Sequence, residues 1–144
     1  REVRCVILTG AGKAFSAGGN VKAMREGGDG FGGPGVHIRE RYRNGIHRIV
    51  KSVWGIEVPV VAAVNAPAIG LGNVVACLSD TRIAADSAVF TTTFLTVSLS
   101  PRDSAALLPP RHIGVARTSV LHSIRDATHA VKARASAPRP VRVP

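Results

Sequence analysis

An α/β fold with a mostly parallel sheet is what this sequence predicts. Short apolar, β-branched runs (3–10, 60–64 and 82–92) alternate with stretches of helical spacing, giving the order strand, helix, strand, helix, strand. The first two runs each end in a cluster of small residues that opens a helix, as strand-to-helix turns do. The chain has 144 residues, 45% of them hydrophobic, enough for one domain with a single buried core.

The elements follow in order. "VRCVILTG" (3–10) predicts a strand buried on both faces, since both carry apolar residues. "FSAGG" (15–19) turns the chain into a short helix over 21–26. "GGDGFGGPG" (27–35) is expected to be a long loop without regular structure. His37 to Trp54 predicts a helix: Ile38, Tyr42, Ile46, Ile49, Val50 and Val53 recur on one side and arginines fill the other. Val60 to Val64 predicts a second buried strand, broken at Asn65-Ala66-Pro67. "GLGNVVACLSD" (70–80) opens a helix near its glycines, and 82–85 with 88–92 predict a third strand containing a turn. Past Pro101, "RDSAALLPPRHIG" keeps helical spacing, whereas "SAPRPVRVP" predicts a disordered extended tail.

Composition excludes several classes. No apolar run is long enough to cross a bilayer, and "REVRCVILTG" lacks the layout of a signal peptide, so a soluble cytoplasmic protein is expected. Cys5 and Cys77 both lie in apolar runs and read as buried thiols, not as a disulfide framework or metal site. The five histidines show no metal spacing and read as surface or helix-face residues. The net charge of +10 invites a nucleic-acid partner. The charge is spread over one helix face and the last quarter of the chain, however, and aromatics make up only 4%, so no stacking platform is present and a nucleic-acid partner is not expected.

The glycine stretches carry the chemistry. "TGAGKAF" is not a phosphate-binding P-loop, because Gly10 and Gly12 stand too close and Ala14 follows Lys13. The dinucleotide fingerprint fails on spacing as well. What remains is a matched pair, "FSAGG" after the first strand and "AIGLGN" after the second. At both, backbone N–H groups at a helix start lack partners. If the two strands are neighbours, the two sets of donors face one pocket and form an oxyanion hole, with small side chains letting a ligand reach the backbone.

"VILTGAGKAFSAGGNVKAM", "PVVAAVNAPAIGLGNVVACLSDTRIAADSAVF" and, more weakly, "LSPRDSAALLPPRHIG" resemble the signature regions of the enoyl-CoA hydratase/isomerase (crotonase) family. The resemblance runs from about Val3 to about Ala116. It implies a crotonase-like fold of repeated β-β-α units, trimeric or hexameric assembly, and acyl-CoA thioester substrates, with coenzyme A as part of the substrate and no separate cofactor or metal. It implies backbone oxyanion donors at Ala17 and Leu71, a segment Lys13, Ala14 and Phe15 along the adenine side of the CoA site, and Gly70 and Gly72 beside the thioester. The family's two water-activating glutamates align with Val74 and Phe94, neither of which moves a proton. Asp103 is then the candidate acid/base near the pocket, or simply a turn or helix-cap aspartate. Two functions therefore stand: a family enzyme with altered chemistry, or a member that binds or oligomerises without catalysis. The family has a strand pair and a helix before the position of Arg1, and its pattern fades after Ala116 into an Ala/Arg/Pro/Ser-rich run. A core domain over 1–116, a divergent basic segment over 117–144, and a fragment or frame-shifted chain are thus expected.

Overall fold

The computed structural model describes residues 2–28, 32–94 and 107–123, together with the backbone of Thr128 and His129. The elements are β1 (Val6–Thr9), α1 (Val21–Arg25), α2 (Gly35–Arg41), a π-helical turn (Tyr42–Ile46), α3 (His47–Trp54), β2 (Val60–Val64), β3 (Ala68–Ile69), α4 (Leu71–Leu78), β4 (Thr81–Ala84), β5 (Val89–Thr91), α5 (Leu108–Ile113), α6 (Val115–Ser123) and β6 (Thr128–His129). They build two small sheets. One is parallel, in the order β1-β2-β4, with Val6 opposite Val60 and Val61 opposite Thr81. The other has the order β3-β5-β6, parallel between β3 and β5 and antiparallel between β5 and β6. The predicted α/β class and parallel pairing are what the structure shows.

One core lies between the first sheet and α4. Ala62, Ala68, Ala76 and Ala88 are fully buried with Val64, and Phe15, Ala84 and Phe90 pack against them. Four alanines at the centre let helix and strand backbones approach closely. A second cluster joins Val74, Phe94 and Leu108, with Val50, Leu71, Cys77 and Leu78 at its margin. Arg82 fastens the end of α4 to β4: its Nη1 donates to Ser79 O at 2.6 Å, satisfying a helix-terminal carbonyl.

Several expectations are corrected. The first strand is only half covered. Its burial alternates, and Ile7 is 68% exposed. Ile83 of β4 is 65% exposed on the same sheet face, since Thr9 pairs Ala63 and Ala63 pairs Ile83. The apolar face that suggested burial therefore has no cover among the described residues. Cys5 shares this exposure and is not a buried thiol, while Cys77 is half-buried. The third predicted strand is two strands in different sheets, because the turn at Asp86-Ser87 carries the chain from one sheet to the other. The helix expected at His37 begins at Gly35, behind Pro34, whose φ of −59° suits a helix start. Helix α6 runs across position 116, and in it Thr118 and Leu121 are buried and Thr92 Oγ1 donates to Leu121 O at 3.2 Å. The tail expected from Ser136 onward lies outside the described residues.

The helix that connects β1 and β2 also departs from a uniform pattern. The π turn inserts one extra residue, which rotates the next helical turns by roughly 100°. Tyr42 is buried at the start of the turn, Ile46 at its end is partly buried, and beyond it Val50 and Val53 are partly buried whereas Ile49 is 46% exposed. The predicted stripe holds both Ile49 and Val50; the turn decides between them.

Candidate functional site

The two small-residue corners are stitched together by their backbones. Phe15 N and Ser16 N both donate to Pro67 O, at 3.0 and 3.2 Å, and Ile69 N donates back to Ser16 O at 2.9 Å. Ser16 and Ala68 form a parallel bridge. Beyond the bridge the glycines interlock. A Cβ placed on Gly72 would stand 2.6 Å from Ser16 Cβ and 2.8 Å from Ser16 O. A Cβ on Gly18, which sits at φ +78°, would stand 2.8 Å from Ile69 O. Ala17 is thus flanked by residues in contact with Ile69 and Gly72, the segment that contains Leu71.

The second corner is shaped by Gly70 at φ +54° and ψ −116°, a conformation that side-chain-bearing residues avoid. Its N–H donates to Thr91 O at 3.0 Å, tying the corner to β5. Leu71 then opens α4, which has no side-chain cap at this end. Among the described residues, no acceptor takes the N–H of Ala17 or of Leu71. Ala17 is exposed and Leu71 half-buried.

Asn65, which in the sequence looks like no more than a strand breaker, holds the first corner's approach. Its Oδ1 accepts from Gly10 N at 3.0 Å and its Nδ2 donates to Gly12 O at 3.1 Å. The segment from Gly10 to Phe15 doubles back so tightly that a Cβ on Gly10 would overlap Ala14 O and Phe15 Cα. Lys13 is exposed and Ala14 half-buried, while the Phe15 ring packs on the central alanine core. Asn20 caps α1, its Oδ1 accepting from Ala23 N at 3.1 Å. No ≥3-residue His/Cys/Asp/Glu cluster suited to a metal occurs among the described residues.

Val74 and Phe94, far apart in sequence, pack in one cluster with Leu71 at its edge. Val74 is 1% exposed and Phe94 8%. The His122 ring meets Phe94 edge-on, centroids 6.4 Å apart, and its buried Nε2 has no hydrogen-bond partner among the described residues. Asp103, with Arg102, lies outside the described residues. A groove of about 600 Å³ begins at Gly19 and Asn20, directly after the first corner, and runs between α1 and the α2–α3 helix. Its volume is within the range of small-molecule sites, roughly 300–1,000 Å³. It touches neither Ala17 nor Leu71, so it adjoins the paired corners and does not enclose them.

Comparison with known proteins places the chain in a family. The family model described as Enoyl-CoA hydratase/isomerase matches residues 1–133. The chain belongs to the enoyl-CoA hydratase/isomerase family. It is 36% identical over 134 residues to the Mycobacterium tuberculosis protein named "Probable enoyl-CoA hydratase EchA14", covering 91% of this chain and 50% of the relative. It is 34% identical over 116 residues to 1,2-epoxyphenylacetyl-CoA isomerase of Escherichia coli, covering 80% and 43%. The crystal structure of an enoyl-CoA hydratase from Bacillus anthracis superposes with a TM-score of 0.80 at 32% identity, over 93% of this chain and 50% of that one. The fold is therefore crotonase-like, and the chain spans about half the length of the curated relatives it matches.

The packing of the corners and the burial of two histidines make two expectations testable. Gly72→Ala forces a methyl group against Ser16 backbone and is expected to cost about 1–3 kcal/mol. Urea unfolding checks it, and an unchanged midpoint would mean that the two corners are not in contact. The second concerns acid. Burial lowers the pKa of His122. For His112 burial also dominates, opposed by the hydrogen bond of Nε2 to Cys77 O at 3.0 Å and assisted by the Arg82 charge. Both folded-state values lie below the unfolded one, so as pH falls through about 6.5 the unfolded chain takes up protons first. Stability is expected to be level above that pH and to fall below it. The fall should shrink in His122→Gln, as read from urea midpoints between pH 8 and 5.

Proposed function

We propose that this protein binds an acyl-CoA thioester at the paired corners. The N–H groups of Ala17 and Leu71 both donate to the thioester oxygen and stabilise the negative charge that an enolate places there. The observation that carries this reading is the interlock of the two corners, which holds two acceptor-free amides on adjacent backbone segments. Coenzyme A enters as part of the substrate, along the backbone of Lys13, Ala14 and Phe15, and no separate cofactor is needed. Family membership supports this substrate class. So does the name of the isomerase relative, which acts on a CoA thioester.

Hydration is not the reaction. The positions that carry the family's water-activating glutamates hold Val74 and Phe94, an apolar pair packed together. Loss of one positioned acid or base costs on the order of 10²–10⁴ in rate, and here both are absent. The chemistry that remains is proton removal next to the thioester or a double-bond shift, with Asp103 as a candidate proton carrier. The same apolar pair favours a second reading, a member that binds acyl-CoA without turnover.

Isothermal titration of the chain with butyryl-CoA and crotonyl-CoA tests the shared claim, and coenzyme A alone is the control. Saturable binding of the thioesters, tighter than that of coenzyme A, is expected. No binding of any of them removes the proposal. Exchange of the butyryl-CoA α-protons in D₂O, followed by NMR, then separates the enzyme from the binder.

A further inference from the structure

Resting on the acyl-CoA reading above, we infer that the acyl group this site selects carries an uncharged hydrogen-bonding end group, a hydroxyl above all, a few carbons from the thioester. The groove beside the first corner has two unlike halves. His37, Glu40, Arg41 and Asn44 line one half, and their spacing of three, four and seven residues places them along one helix face. A regular helix would continue that polar stripe through Arg48 and Lys51. The π turn at Tyr42–Ile46 adds a residue and rotates the helix, so the groove wall continues instead as Ile46 and Ile49. The wall thus changes from polar to apolar at the turn.

The order of the halves comes from packing. α3 lies against α4, and its Val50 packs at the margin of the cluster containing Val74 and Leu71. Ile46 stands one turn from Val50 and Ile49 is its neighbour, so the apolar half is the one next to the thioester corner. The polar half on α2 is farther along. An acyl chain entering from the corner therefore meets Ile46 and Ile49 first and the polar stripe afterwards. The stripe offers a guanidinium donor, a carboxylate acceptor and a carboxamide that does both. Glu40 and Arg41 stand side by side with opposite charges, so a terminal carboxylate is attracted by one and repelled by the other and can only accept, whereas a hydroxyl both donates and accepts and uses the whole set.

The test compares three thioesters of equal chain length by isothermal titration: hexanoyl-CoA, 6-hydroxyhexanoyl-CoA and adipoyl-CoA. The hydroxylated ligand is expected to bind about three- to tenfold tighter than hexanoyl-CoA, the range one or two net hydrogen bonds supply, and tighter than the carboxylate. Asn44→Leu and Glu40→Leu, both at exposed positions, should remove that preference, the affinity ratio of 6-hydroxyhexanoyl-CoA to hexanoyl-CoA falling to about one. Equal or tighter binding of hexanoyl-CoA overturns the inference. So does a preference for adipoyl-CoA, or a hydroxyl preference that survives both substitutions. Failure of all three thioesters to bind would overturn the acyl-CoA reading itself, and this inference with it.

Discussion

Replacing Val74 by glutamate, the residue type that hydratases of the family carry there, is expected to destabilise the fold and not to install water addition. Val74 is 1% exposed, and its neighbours are Phe94, Leu108 and the apolar margin of α3 and α4. The described members of the cluster are apolar side chains and the Cys77 thiol, so a carboxylate there would be desolvated with little compensation. Leaving such a charge unpaired costs on the order of 3–5 kcal/mol. Burial would also raise the new carboxyl's pKa, so the folded protein would hold its proton longer than the unfolded chain. The deficit should then be small near pH 4, grow as pH rises, and level off above the raised pKa. Urea unfolding of Val74→Glu and the parent at several pH values reads this directly. A substituted protein as stable as the parent at pH 8 would show that this cluster is open to water, and that the loss of the glutamates is less deeply built in.

Ala17→Pro is expected to leave the fold standing and to remove one of the two proposed oxyanion donors. The N–H of Ala17 has no acceptor among the described residues, so proline sacrifices no internal hydrogen bond there. Ser16, the preceding residue, is in an extended bridge with Ala68, the conformation that a residue before proline prefers. Loss of one oxyanion donor costs about 10²–10³ in rate, on the order of 3 kcal/mol. The α-proton exchange of butyryl-CoA should slow by that factor, while the urea midpoint moves little. Exchange at the parental rate in a folded Ala17→Pro protein would contradict the role proposed for this amide.

The corners are the most legible part of the chain. Small residues after an apolar run, twice, are a local signal, and the backbone at Gly18, Gly70 and Gly72 demands what those residues allow. The strand Val60–Val64 and the helix Leu71–Leu78 are equally plain, since an unbroken apolar run and a glycine-led helical pattern lie entirely within one segment. The two-residue strand Ala68–Ile69 is not visible in the sequence, because it is too short to show any periodicity and exists through its pairing with β5 and its bridge to Ser16. Asn65 likewise looks like a breaker, and its clamp on Gly10 and Gly12 depends on partners more than fifty residues away. The exposure of Ile7 and Ile83 escapes a sequence reading for a related reason: an apolar side chain predicts a wish for cover, not the presence of it.

By itself the sequence determined the α/β order, the two glycine corners, and the absence of a carboxylate at Val74 and Phe94. Each is a property of residue type and near-neighbour spacing, which constrain the backbone locally. Tertiary structure alone decided that the corners interlock and that Val74 meets Phe94. It also decided that the π turn divides the groove wall into polar and apolar halves. Those outcomes depend on which distant segments share a surface and on a rotation of roughly 100° from one added residue, neither of which is written in local periodicity.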